Sequence, residues 1–225
     1  MTKLIQKPTH YFKSPRSEML EYIPKSASNF LEIGCGEGSF SQNLKQIRTT
    51  DNKTIYVTAI EIDPLRAEKA REKLDYVICA NIEDEDFFDN HNLLEGSFDC
   101  IICNDVLEHL VSPWNVLEQL KGVLTKDGVI VASIPNVRYL GVSRSLLFNG
   151  EWNYTEDGIL DITHLRFFTR SSIEKLFKDA GYTVVKITGI NSFVRGWKFS
   201  LLNFLTRNHF DDIQYLQFAV VAKKL

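Results

Sequence analysis

The sequence predicts an α/β domain, a mostly parallel sheet with helices on both faces. Three observations carry this. Apolar runs of strand length alternate with helix-period segments from residue 29 to residue 190, as in strand-helix-strand units. The segment ends are marked: Pro64 and Pro113 suit a first helical turn, and Gly181 suits a helix stop. With 225 residues, 44% of them hydrophobic, the chain is expected to bury one substantial core as a single domain over 1–225.

In chain order, the pattern predicts a strand at Asn29–Ile33, a helix at Ser39–Ile47 and a strand at Thr54–Ile60. A helix at Pro64–Lys73 and strands at Tyr76–Ala80 and Phe98–Cys103 follow. The second half reads as helix Pro113–Leu124, strand Val129–Ile134, helix Ser171–Ala180 and strand Thr183–Thr188. An amphipathic segment, Trp197–Leu205, then leads to a last strand, Tyr215–Lys223, and is expected to cover the sheet rather than bind a membrane. Cys100 and Cys103 have redox or zinc spacing, but both fall in one strand. Side chains three apart on a strand face opposite sides, so the pair reads as two reduced core thiols.

Charge excludes little but orders the options. A net charge of −3 and a pI near 6.0 give no bulk attraction to nucleic acid or anionic membrane. No apolar run reaches membrane-spanning length, and Met1 to His10 lack the apolar core of a signal peptide. A cytoplasmic protein acting on a small molecule is the expectation.

Leu31-Glu32-Ile33-Gly34-Cys35-Gly36-Glu37-Gly38-Ser39 joins the first strand to the first helix. Glycines at 34, 36 and 38 allow a sharp turn and bring a ligand against bare main chain. Ser39 stands where a dinucleotide fingerprint needs its third glycine, and no P-loop lysine follows. The loop suits a ligand without a pyrophosphate. Glu61 ends the second strand about twenty positions on, placed to accept two ribose hydroxyls, with Ile62 and Asp63 after it. Asn81 and Ile82 end the third strand, where an amide can meet an adenine edge and an aliphatic chain its face. Read plainly, the same features are a turn, a helix-terminal charge and a loop cap.

These residues resemble the class I S-adenosylmethionine-dependent methyltransferases, with a Rossmann-like fold, over about Tyr11 to Ile190. The resemblance implies seven strands in the order 3-2-1-4-5-7-6, the last antiparallel. It implies that Glu32, Gly34, Cys35, Gly36 and Gly38 form the cofactor loop, and that Glu61 and Ile62 bind the ribose. Asn81, where the family often has Asp, and Ile82 then bind adenine, and Asn104 meets the methionine end. Tyr11 and Arg16 lie in a segment that folds over the cofactor in similar proteins, where Arg16 reaches its carboxylate.

Acceptor information sits in Asn104-Asp105-Val106-Leu107-Glu108-His109-Leu110 and Gly158–Thr169. Between the fifth strand and this second stretch lies Pro135 to Asp157, rich in Tyr, Trp, Phe, Asn and Gly; the whole of 135–165 reads as a lid or acceptor-binding insertion. Tyr154-Thr155, Leu160-Asp161 and His164–Arg170 resemble glycan-pathway methyltransferases. The Glu108-His109 pair resembles ubiquinone-pathway and small-RNA 3′-end O-methyltransferases. An O-methyltransferase acting on a saccharide or other small metabolite is the leading expectation; a quinone precursor, an RNA 3′ end and a non-catalytic cofactor-binding regulator are the alternatives. A hydroxyl acceptor must lose a proton, so His109 and His164 are the candidate bases. Asp105, Glu108, His109 and His164 are alternatively a site for Mg²⁺, Mn²⁺ or Zn²⁺, one helical turn gathering the first three. The related metal pattern has Glu where this chain has Asp105.

Overall fold

The computed structural model describes residues 15–91, 93–192 and 203–225. Tyr11 and most of Trp197–Leu205 lie outside the described residues. A 3-10 turn, Ser17–Tyr22, precedes β1 (Asn29–Ile33), α1 (Ser39–Thr50), β2 (Tyr56–Glu61), α2 (Pro64–Arg71) and β3 (Tyr76–Cys79). Then come α3 (Phe87–Asn90), β4 (Phe98–Asn104), α4 (Pro113–Val123), β5 (Leu124–Pro135) and α5 (Leu140–Arg144). The chain ends in α6 (Arg170–Asp179), β6 (Tyr182–Ser192) and β7 (Tyr215–Lys224).

The sheet order is β3-β2-β1-β4-β5-β7-β6, with β7 antiparallel to both neighbours and the other pairs parallel, as expected. Strand alternation divides the core in two. Leu31, Ile101 and Ile130 point toward α4 and α6, meeting Leu117, Leu120 and Phe177. Phe30, Val57 and Ile102 point the other way, toward Phe40 and Leu44 of α1, Ala67 of α2 and Met19 of the first 3-10 turn. Cys100 and Cys103 fall in opposite halves, both unbridged, and burial pushes the Cys103 thiol up to about 12. The strand argument for two inert core cysteines therefore stands.

Differences from the expected boundaries have local causes. Helix α2 stops at Arg71, before the Lys73 expected from periodicity. Strand β5 begins at Leu124 directly after α4, where Leu124 pairs with Phe98, so the strand is longer than the apolar run at Val129–Ile134. The segment after Pro135 is not featureless: α5 continues into a π-helical turn, Ser145–Asn149, closed by Gly150 at φ 68°. Among the described residues, no helix is long and apolar enough to cross a membrane.

The core assignment makes a stability prediction. Leu117 is fully buried, so Leu117→Ala is expected to cost about 2–5 kcal/mol in urea denaturation, through lost burial and a residual cavity. Leu147 is 76% exposed, so Leu147→Ala is expected to change stability by less than about 0.5 kcal/mol.

Candidate active site

The carboxyl ends of β1, β2, β3 and β4 open onto a cavity of about 800 Å³. Its floor is the glycine loop after β1. Gly34 and Cys35 donate their amides to the Ile60 carbonyl, at 2.8 and 3.2 Å, which stitches the loop to β2. Gly34 has φ 67°, and a Cβ there would lie 2.7 Å from Val106 Cγ2, so glycine is required on both counts. Gly38 does not line the cavity: it precedes α1 at φ 75°, packed against Leu74 and Ala70. Its side faces α2, while Ser39 and Phe40 after it line the cavity.

Glu61 and Asp63 divide two roles that the sequence left open. Asp63 caps α2, accepting from the amides of Leu65 at 2.9 Å and Arg66 at 3.3 Å. Glu61 turns into the cavity, with Oε2 accepting from Gly36 N at 2.7 Å and Oε1 from Asp63 N at 2.9 Å. Burial raises its pKa against the opposing backbone hydrogen bonds. Each carboxylate oxygen keeps a lone pair for a ligand hydroxyl. Glu32, 2% exposed, is pushed up to about 7, by burial first and by neighbouring Glu61 also. Burial likewise raises the Cys35 thiol, so it lines the cavity as a neutral group.

Other expected contacts are redistributed. Asn81 lines the cavity, and its amide also holds a turn: Oδ1 accepts from Glu83 N at 3.1 Å and Nδ2 donates to Asp84 at 3.2 Å, which leaves one N–H and one lone pair. The loop-cap role is realised, and buried Ile82 lines the cavity beside it. Ile62 stands at the rim, 58% exposed. Both polar atoms of the Asn104 side chain are buried without a hydrogen-bond partner, and one Glu32 oxygen is too. A ligand with donors and acceptors at this end of the cavity satisfies all three, so the residues present fit a nucleoside cofactor with an amino-acid tail.

On the acceptor side, ligand atoms of Glu108, His109 and His164 lie within 4.8 Å of one another. Glu108 and His109 come from a 3-10 turn, Leu107–His109, and His164 from the loop before α6. His109 Nδ1 sits 3.2 Å from the Thr163 carbonyl, and His164 Nδ1 3.0 Å from that of Ile159. A carbonyl can only accept, so both Nδ1 atoms carry the proton. Asp105 does not join the group. At φ 53° it stands outside the turn, and its carboxylate pairs with Arg16 and accepts from Ser133 Oγ at 2.9 Å and Gln217 Nε2 at 3.1 Å. The one-turn spacing argument fails there, because the chain reverses through a left-handed residue instead of starting an α-helix.

Arg16 lines the cavity as expected, with its guanidinium held by Asp105, by Glu18 at 2.8 Å and by Gln217 at 3.0 Å. Gln217 escaped the sequence reading. It is a polar residue in an apolar strand, and only the antiparallel course of β7 brings it opposite Pro135 at the ligand end of the sheet. Asp161, marked in the sequence only as part of an acceptor-side stretch, is buried and accepts from Thr163 N at 2.8 Å and Oγ1 at 2.7 Å, which fixes the contact to His109.

The strand order, glycine loop and buried acid at the tip of β2 define the class of S-adenosylmethionine-dependent methyltransferase folds. The chain belongs to the methyltransferase domain family, which it matches over residues 6–187. It is 29% identical over 137 residues to a ubiquinone biosynthesis O-methyltransferase of Actinobacillus pleuropneumoniae, covering 58% of this chain and 56% of that protein. A malonyl-[acyl-carrier protein] O-methyltransferase of Ilyobacter polytropus is 26% identical over 183 residues, covering 80% and 66%. The chain spans about half the length of the ubiquinone-pathway relatives it matches. Among solved structures, a SAM-dependent methyltransferase from Archaeoglobus fulgidus shares the fold with a TM-score of 0.63, at 17% identity and 92% coverage of both chains. Magnesium protoporphyrin IX methyltransferase from Synechocystis, solved with bound SAH, has a TM-score of 0.61 at 15% identity, covering 96% of this chain and 84% of that one.

Two predictions follow from the geometry of the buried acids. Glu61→Ala is expected to weaken S-adenosylhomocysteine binding by at least about tenfold in calorimetry, since two charge-assisted hydrogen bonds are lost. Its effect on folding should be read alongside, because Glu61 also holds Gly36. Glu32 sets a pH dependence. Its folded-state pKa of about 7 lies above the ordinary 4.5, so the stability its proton brings is complete below 4.5 and is lost as pH rises through about 7. Denaturation of wild type is expected to show this falling slope, and Glu32→Gln to flatten it.

Proposed function

We propose that the chain transfers a methyl group from S-adenosylmethionine to a hydroxyl oxygen of a small neutral metabolite. It does so as one domain, with 135–165 as its acceptor-side cover. The observation that carries the reading is His109. It lines the same cavity as Glu61 and Asn104, and its Nδ1 is held as a donor, so Nε2 is the basic nitrogen. When bound, S-adenosylmethionine supplies a methyl group on a sulfonium, electrophilic without further activation. Glu61 would hold the ribose, Asn104 and Glu32 the methionine end, and Ile82 would pack on the base. As the acceptor oxygen bonds to the methyl carbon and the carbon–sulfur bond breaks, His109 Nε2 takes the hydroxyl proton. Positioning supplies much of the remaining rate.

A second cavity, about 520 Å³, adjoins the first through shared Asp105, Gly158 and Gln217. Asp105, Glu108, His164, Asn191, Ser192 and Gln217 supply its polar lining, and no lysine or arginine lines it among the described residues. A lining without lysine or arginine among the described residues disfavours an anionic acceptor such as an RNA end and favours a neutral hydroxylated one. A saccharide fits this chemistry, and so does the phenol of a quinone precursor, the direction in which the ubiquinone-pathway relatives point.

One observation favours a metal-assisted variant of the same reaction. Glu108 and His164 are 1% and 6% exposed, with Glu108 Oε1 3.9 Å from His164 Nε2. With Nδ1 donating to Ile159, Nε2 of His164 is turned to the Glu108 side, and with His109 the three groups suit a cation. Incubation with S-adenosylmethionine and pools of saccharides, phenols and RNA, read by mass spectrometry, is expected to give a one-methyl gain in a neutral pool. His109→Ala should then lower the rate by at least about a hundredfold. An undiminished rate in that variant removes His109 as the base. Loss of activity on exhaustive chelation, restored by Mg²⁺, Mn²⁺ or Zn²⁺, selects the metal-assisted variant. Cofactor binding without transfer to any pool selects a regulatory role instead.

A further inference from the structure

At the boundary of the two cavities four side chains form one chain of contacts. Arg16 pairs with Asp105, Gln217 bridges Asp105 and Arg16, and Asn191 Nδ2 donates to Gln217 Oε1 at 3.1 Å. Three of these residues hold left-handed backbone: Arg16 at φ 43°, Asp105 at 53° and Asn191 at 56°. Such conformations cost free energy in residues other than glycine; Arg16 and Asp105 line the main cavity with Asn104, and Asn191 lines the second cavity beside Gln217.

The atoms are divided in a way that matters. Asp105 Oδ1 accepts from Ser133 Oγ and Gln217 Nε2, while Oδ2 pairs with Arg16. Arg16 meanwhile keeps its Nε on Glu18. Removing the Arg16–Asp105 contact therefore leaves Asp105 with two donors on Oδ1 and leaves Arg16 anchored through Nε. The contact is exchangeable without dismantling the wall, and the arginine involved already faces the cavity.

We propose that Asp105 is an internal stand-in for a ligand carboxylate: it holds Arg16 in the ligand-free protein and yields it when a carboxylate-bearing nucleoside enters. The proposal rests on the cofactor reading above and adds to it a positioning residue that opposes binding. An entering carboxylate meets one guanidinium already shared with a carboxylate, so binding includes an exchange of partners. Ligands without a carboxylate pass Arg16 by, so the latch acts on the amino-acid tail alone.

Calorimetry with two probes separates this from a structural role: S-adenosylhomocysteine, which carries the carboxylate, and 5′-methylthioadenosine, which lacks it. Asp105→Asn keeps the size of the side chain and removes its charge. It is expected to tighten S-adenosylhomocysteine binding by at least about threefold and leave 5′-methylthioadenosine unchanged. Arg16→Gln is expected to weaken S-adenosylhomocysteine alone, and Asp105→Asn to bring no gain on that background. Weaker S-adenosylhomocysteine binding in Asp105→Asn, or an equal shift for both probes, overturns the latch and makes Asp105 a support for Arg16. So does a gain that persists without Arg16. Failure of wild type to bind either nucleoside overturns the cofactor reading and the latch together, which distinguishes the two failures. Thermal melting of each variant confirms that the fold is intact.

Discussion

The site depends on a topological constraint. Parallel neighbours need crossover connections, and the crossovers from β1 to β2 and from β4 to β5 leave the centre of the sheet in opposite directions. Where they part, between β1 and β4, no connection covers the carboxyl ends of the strands, and a crevice follows. Gly34 lies at the tip of β1 and Asn104 ends β4, so the two strands that flank the reversal supply the floor and one wall. The glycine loop keeps its shape because β2, on the far side of β1, ties it down through the Ile60 carbonyl and the Glu61 carboxylate.

That crevice concentrates buried acids. Glu32, Glu61 and Glu108 are 2%, 5% and 1% exposed, a costly arrangement for carboxylates in a small domain. Each meets the cost differently. Glu61 takes two backbone amides, Glu32 holds its proton to about neutral pH, and Glu108 stands against His164. A cationic ligand would relieve Glu32 directly, so cofactor binding and proton release at this residue are linked. The fold gives up stability at its centre and gains a site that favours a positively charged partner.

The antiparallel last strand adds what a wholly parallel sheet would lack. Running against its neighbours, β7 begins at the ligand end and brings Gln217 to the boundary of the two cavities. The acceptor side is built from loops instead. Asp161 fixes Thr163, whose carbonyl and hydroxyl in turn orient His109, so the proposed base is placed by a segment 54 residues away in the chain.

Much of this was legible in the sequence, because local chemistry decides it. Strand periodicity and helix-end signals determined the seven strands and the four longest helices, and the run Gly34–Gly38 with Glu61 marked the cofactor end. The opposed faces of Cys100 and Cys103 followed from alternation alone. What tertiary structure decided concerns residues whose roles depend on partners distant in sequence. Asn81 turned out to cap its own loop, Gly38 to pack against α2, and Asp63 rather than Glu61 to cap that helix. Spacing placed Asp105 with Glu108 and His109, yet a left-handed backbone and the arrival of Arg16 and Gln217 turned its carboxylate away from them. A sequence records which groups lie close along one element; the direction of a side chain at a reversal is set by the charge and hydrogen bonds that the rest of the fold brings to it.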